Sequence, residues 1–230
     1  MKMTKLRTLV GAAAIFLAGS TTSLMAASFG GGVTGGVAYL EVNGDEKLHP
    51  GNGDAPGEER SGTAGGAGAM PSVFLQGQFF GGWTLGYEMV LGSVTLESER
   101  RDNISADAGV TPIKNTVKVA FKDLRNIYLE TPGITPLGLY LKTGYSEMDV
   151  DNQSDLDTGA VYADTTADAF IYGFGFKKGD PDGGWQTKLE FAYTDWDTIS
   201  VTSTADAQGN NVVSAEPMMG TVKFTLGYNF

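Results

Sequence analysis

The chain has 230 residues, a formal net charge of −11, 33 glycines and no cysteine. An acidic balance argues against a nucleic-acid partner, whose phosphates demand Lys and Arg. The absence of Cys excludes disulfides, thiolate metal sites and a lipid-bearing N-terminal Cys.

Residues 1–26 read as a secretory leader. Lys2, Lys5 and Arg7 give a positive start without acids, and residues 9–19 form a small, apolar run. A polar stretch then leads to Met25-Ala26-Ala27, with cleavage expected after Ala26. The apolar run is shorter than the roughly 18 residues needed to span a bilayer. Export leaves a single domain at 27–230, with 13 basic against 27 acidic residues, a net charge of −14. That length suits one all-β domain.

Beyond the leader, period-two alternation recurs in segments of about ten residues, the length of a membrane-crossing strand. The first, at 33–42, carries Tyr39, Leu40 and Val42 on mixed faces, so its register stays open. In the second, Val73, Leu75 and Phe79 oppose Gln76 and Gln78. Gly81-Gly82 turns the chain into a third, where Trp83, Leu85, Tyr87, Met89 and Leu91 alternate with Thr84, Gly86, Glu88 and Val90. The fourth begins with Val117, Val119 and Phe121 opposite Lys118 and Lys122. Asp123 and Arg125 break the pattern before Ile127 and Leu129 resume it, and a bulge would reconcile the two parts.

The fifth strand sets Leu137, Leu139, Leu141 and Tyr145 against Gly138, Tyr140, Lys142 and Ser146. In the sixth, Phe170, Tyr172, Phe174 and Phe176 alternate with Ile171, Gly173, Gly175 and Lys177. The seventh opposes Trp185, Leu189, Phe191 and Tyr193 to Gln186, Lys188 and Glu190. The last sets Val222, Phe224, Leu226, Tyr228 and Phe230 against Lys223, Thr225, Gly227 and Asn229.

Connections alternate between short (81–82, 131–136, 179–184) and long, mostly polar stretches (about 44–69, 98–114, 150–166, 202–215). An eight-stranded antiparallel up-and-down transmembrane β-barrel has this layout, with both termini periplasmic and the long loops extracellular. A soluble sandwich would pack its apolar face inward; here the opposite face is repeatedly Gly, Lys or Glu, too small or too charged for such a core. Trp83, Trp185, Tyr228 and Phe230 fall at one rim as an aromatic girdle, and Tyr145, Tyr193 and Trp196 are expected at the other.

The leader, the eight-strand layout and the ending Val222-Lys223-Phe224-Thr225-Leu226-Gly227-Tyr228-Asn229-Phe230 resemble the small OmpA-like or opacity-type outer-membrane barrels. The resemblance covers the mature chain as pattern, not as long identity. It implies residence in the bacterial outer membrane among lipid and lipopolysaccharide. It also implies periplasmic chaperones on the way, and a barrel assembly machinery that reads Phe224, Leu226, Tyr228 and Phe230 as an assembly signal.

An eight-stranded barrel is narrow enough for side chains to fill. The registers place Glu88, Lys122, Lys142, Glu190 and Lys223 in the lumen, with Glu88 expected to meet Lys122 and Glu190 to meet Lys223. Buried charges must pair, and a structural plug is preferred to a gate. His49 is the single His, in the first long loop with Asp54 and Ser61, without the spacing of a lipid A-modifying site. The acidic run from Asp149 to Asp157 lacks the Gly and Glu of a calcium loop. No cofactor, metal or catalytic residue is therefore expected. A structural or surface-interaction barrel is the leading expectation, followed by a narrow pore and then a lipid A-modifying enzyme.

Overall fold

The computed structural model describes residues 28–47, 59–102, 113–153, 155–156, 161–179, 183–204 and 211–230. The leader, His49 and Asp54 lie outside them.

One antiparallel sheet contains β1 (Ser28–Lys47), β2 (Glu59–Ala69), β3 (Ser72–Phe79), β4 (Trp83–Val90), β5 (Val94–Asp102) and β6 (Ile113–Glu130). It continues with β7 (Leu139–Asn152), β8 (Asp155–Leu156), β9 (Thr165–Gly179), β10 (Gly184–Trp196), β11 (Ile199–Thr202) and β12 (Val212–Asn229). Eight of these pair in the order β1-β3-β4-β6-β7-β9-β10-β12, and β12 returns to β1. The expected eight-stranded up-and-down barrel is thus the observed fold. Closure matters physically, because an open edge would leave backbone N–H and C=O groups unbonded in hydrocarbon.

Closure also fixes the register the first strand lacks by itself. Val37 pairs with Val222 on one side, and Val33 with Val73 on the other. Val33, Val37 and Tyr39 therefore point out, while Thr34, Ala38 and Leu40 point in. The apolar outside of β1 runs from Phe29 to Tyr39. At about 3.3 Å per residue and a tilt of about 40°, that is a band roughly 25 Å tall.

Two turns at the end carrying the termini follow from their sequences. Phe80–Gly82 forms a single 3-10 turn in which Gly81 and Gly82 both adopt positive φ (69° and 96°), the region glycine enters without penalty. Between β6 and β7, the Ile134 amide donates to the Leu139 carbonyl (2.8 Å) and closes the connection.

At the opposite, distal end the strands run on beyond the apolar band, and their two faces exchange character. Leu40, Val94, Leu96, Phe121, Met148, Val150, Trp196, Ile199 and Met219 are buried in one interior cluster. The outside there is charged: Lys122 pairs with Asp151, and Arg125 with Glu147 (3.3 Å) and Asp149 (3.8 Å). The Asp151 carboxylate, by accepting a hydrogen bond, holds the Lys122 ammonium above its ordinary value. The barrel is built like a membrane protein in one half and like a soluble one in the other.

This corrects the expectation of four long loops. β2 replaces β3 as the partner of β1 beyond Met70-Pro71, β5 replaces β4 beside β6, and β11 replaces β10 beside β12. Glycine-rich β2 has almost no apolar alternation to reveal it, and backbone pairing to β1 alone makes it a strand. Trp196, expected in a girdle, is instead buried in the distal cluster, because its even number puts it on the inward face of β10.

The bulge expected in the fourth strand is present in β6. Its register with β7 shifts between Lys122 and Arg125, and Asp123 has φ of 52°. Asp tolerates this region better than most residues, whereas a β-branched residue does not. Replacing Asp123 with Val should destabilise the barrel by about 1–3 kcal/mol. Asp123→Gly should stay within about 0.5 kcal/mol of wild type. Urea unfolding in lipid vesicles measures both, and equal stability of the two variants would show that the bulge carries no constraint.

Candidate functional site

The lumen of the membrane half is where the inward faces meet. Alternation sends Phe74 and Gln76 inward from β3, Glu88 from β4, and Asn126, Tyr128 and Glu130 from β6. Tyr140 and Lys142 come from β7, Lys188 and Glu190 from β10, and Lys223 from β12. All are buried.

Three Lys–Glu pairs cross this space. Lys223 Nζ reaches both oxygens of Glu88 (2.9 Å each), Lys142 reaches both of Glu190 (2.9 Å each), and Lys188 reaches both of Glu130 (2.8 Å each). Polar neighbours complete two of the carboxylates. Glu88 accepts from Ser72 Oγ (2.6 Å) and Asn126 Nδ2 (3.0 Å), and Glu190 accepts from the Tyr140 hydroxyl (3.1 Å). Lys188 also donates to Gln76 Oε1 (3.0 Å), whose amide in turn donates to Asn229 Oδ1 (3.1 Å). Lys142 stands 4.0 Å from the centre of the Tyr128 ring, an added cation–π contact.

The inward glycines have a packing purpose. The Tyr128 ring lies on Gly86, leaving no room for a Cβ there, and a Cβ on Gly175 would come within 2.8 Å of the Tyr140 ring. Aromatic rings on one strand thus fill the space left open by glycine on the next. The hollow remaining among the charges is about 10 Å³, the room of one water molecule.

Of the residues expected in the lumen, Glu88, Lys142, Glu190 and Lys223 are there, but the pairs differ. Glu190 and Lys223 are register partners, yet Lys223 reaches across to Glu88 and Glu190 takes Lys142. The expected Glu88–Lys122 pair does not form. The bulge at Asp123 exchanges the two faces of β6, so that Phe121 points in and Lys122 points out, its side chain 42% exposed. Lys188 and Glu130 were passed over, although Lys188 already stood on the polar face. Glu130 likewise stands on the face opposite Ile127 and Leu129, at the edge of the short connection that follows.

The remaining candidates separate. Phe224, Leu226, Tyr228 and Phe230 lie exposed along the outside of the last strand, where Tyr228 meets Trp185 and Phe230 edge-on (5.3 Å each). Ser61 lies exposed on β2. Asp149 and Asp151 are in β7, facing Arg125 and Lys122. Among the described residues, no group of three or more potential ligands is placed to hold a metal ion.

A closed eight-strand ring with an apolar outside and a charge-paired lumen defines a small outer-membrane β-barrel protein. No family model matches the chain, and no curated protein sequence does. Solved outer-membrane barrels match it along most of its length. The outer-membrane protease OmpT from Escherichia coli is 11% identical over 92% of this chain and 99% of its own, with a TM-score of 0.49. AlkL, determined in lipid bilayers, is 14% identical over 92% and 93%, with a TM-score of 0.48. OprG from Pseudomonas aeruginosa is 15% identical over 89% and 96%, with a TM-score of 0.47.

Taking away one partner of a buried pair leaves an uncompensated charge, a loss of about 3–5 kcal/mol. Glu190→Lys alone should therefore destabilise strongly. Adding Lys142→Glu should restore a large part of the loss, whereas adding Lys223→Glu should restore little, since it sets a carboxylate against Glu88. Chemical unfolding of the four proteins in vesicles reads the difference, and better rescue by Lys223→Glu would mean the pairing is wrong.

Proposed function

We propose that this protein is a non-conducting, non-catalytic barrel of the outer membrane whose working part is its distal end. The observation that carries this reading is the filled lumen: three Lys–Glu pairs and two tyrosine rings leave a hollow of about 10 Å³. A hydrated ion needs a continuous path, and a single water's room is not one. The narrow pore is accordingly the weaker reading.

The distal end supports the same view. Its strands are paired and packed on an apolar interior, so the surface they present is rigid and suited to contact with other molecules or cells. A lipid A-modifying role would need His49, which lies outside the described residues, in concert with groups such as Asp54 and Ser61, and the sequence around them lacks the spacing of such a site.

In this reading the distal end is extracellular and the termini are periplasmic, because barrels of this class keep short connections on the periplasmic side. The exposed apolar ladder Phe224, Leu226, Tyr228 and Phe230 then serves the barrel assembly machinery, after periplasmic chaperones have carried the unfolded chain across. Lipopolysaccharide and phospholipid surround the apolar band.

Two measurements test the proposal. In planar bilayers the wild type should show no steady conductance, and stable open channels would replace this reading with the pore. Since the chain has no Cys, single substitutions Ser61→Cys and Ile134→Cys give clean topology labels. On intact cells a membrane-impermeant maleimide should modify the first and spare the second. The reverse pattern would invert the orientation.

A further inference from the structure

Beyond the apolar band the wall is no longer one closed sheet. β2, β1, β12 and β11 pair with one another in one leaf, and β5, β6, β7 and β9 in a second. Both leaves contribute to the distal apolar cluster, and β10, which joins β12 to β9 lower down, ends at Trp196. At this end the chain turns only within a leaf. β1 leads to β2 and β11 to β12, while β5 leads to β6, and β7 leads through β8 to β9.

The two seams between the leaves differ. Where β11 approaches β9, Val161 and Thr204 exchange backbone hydrogen bonds (3.1 and 2.8 Å), and the Tyr162 hydroxyl donates to Glu46 (3.3 Å). Where β2 approaches β5, the Leu91 amide donates to the Pro71 carbonyl (2.7 Å) at the base. Above that bond, among the described residues, no backbone hydrogen bond joins the two strands. Glycine fits them together instead: a Cβ on Gly66 would strike Leu96 Cδ2 (2.6 Å), and one on Gly68 would strike Val94 Cγ2 (2.8 Å). Strand edges are commonly guarded by charge, proline or a bulge, and from Ser61 to Ala69 β2 carries no charge and no proline.

We propose that the seam between β2 and β5 is a mouth built into the fold, where the leaves part about the tied seam while the ring below stays closed. The inward positions of β2 from Gly62 to Gly68 hold Gly, Ala, Gly and Gly, so parting uncovers chiefly Val94 and Leu96 and disturbs little packing. Level with the bend at Met70-Pro71, β1 places Gly35-Gly36 between its last partner on β3 (Thr34 with Ser72) and its first on β2 (Val37 with Ala69). Glycine absorbs a change of backbone direction with least strain. Trp196 keeps its buried indole N–H without an acceptor in the closed cluster, a cost that water entering the mouth relieves. Within each leaf the strands stay paired, so each keeps its own outer surface in shape.

A built Cβ on Gly68 stands 3.7 Å from the Cβ of Val94, a separation that suits a disulfide, and the chain has no Cys of its own. Gly68→Cys with Val94→Cys should therefore form a bridge that shuts the mouth. Folded barrels in lipid nanodiscs are exposed to hydrogen peroxide, and sulfoxide at each methionine is read by mass spectrometry. Buried Met70, at the base of the mouth, should oxidise about tenfold more slowly in the bridged variant than in the wild type, with exposed Met89 unchanged. A second pair of variants does not rely on the bridge. Leu96 and Val150 are equally buried, each 7% exposed, but Val150 lies inside the second leaf, away from the seam. Leu96→Cys should react with a water-soluble maleimide at least about tenfold faster than Val150→Cys. A shift in gel mobility on boiling confirms that each variant is folded. A bridge that fails to form in folded protein, equal oxidation of Met70 with and without it, or equal labelling of the two single-Cys variants would each overturn the proposal.

Discussion

Three carboxylates and three ammonium groups sit inside the barrel, out of water and away from the hydrocarbon outside. Each can stay charged there only while its partner remains in reach, because the desolvation of an unpaired ion is several kcal/mol. Lys223 and Glu88, Lys142 and Glu190, and Lys188 and Glu130 therefore tie β12 to β4, β7 to β10, and β10 to β6. None of these ties joins adjacent strands of the ring. They brace the barrel across its diameter, where the sheet hydrogen bonds brace it around its circumference. Gly86 and Gly175 fit the same requirement, since the tyrosines that wall in the charges need their empty Cβ positions.

The second organising feature is the exchange of inside and outside along each strand. In the membrane half the solvent for the outer face is lipid, so Val, Leu and Phe point out and the charges are enclosed. Beyond the band the outer solvent is water, and the apolar side chains turn inward. A continuous strand such as β1 manages this by a change in sequence alone: Val37 and Tyr39 point out, then Leu40 points in beside an outward Glu41. β6 runs in the other direction and combines a sequence change with a bulge. The inserted residue at Asp123 puts Phe121 in the distal core while keeping Asn126, Tyr128 and Glu130 in the lumen. Each buried apolar side chain of that core contributes about 1.5–3 kcal/mol, so the distal end carries substantial stabilisation of its own.

This division separates two kinds of work. In the proposed role, the paired lumen would keep the membrane sealed while the distal core holds a surface in shape above it. A surface-interaction role follows from that division as a proposal.

Local sequence determined the eight alternating segments, the outward faces of all but the first and fourth, the short glycine turns and even the break in β6. All of these are written within a few residues of one another, in the period of two that a strand imposes on its side chains. The acidic balance and the absence of Cys were equally plain. Which lysine meets which glutamate was not legible, because the tilt of the strands and the width of the ring decide which side chains share a height across the lumen. Glu190 stands beside Lys223 in the sheet and still pairs with Lys142. The strand at 59–69 was also hidden, since its glycines and small residues carry no alternation and only pairing with β1 gives them a form. Lys122 falls in the same class: its chemistry suited the lumen, but its face was set by the bulge at Asp123. Trp196 differs, since the alternation of Trp185, Leu189, Phe191 and Tyr193 already places it on the inward face, and only its aromatic chemistry suggested the girdle.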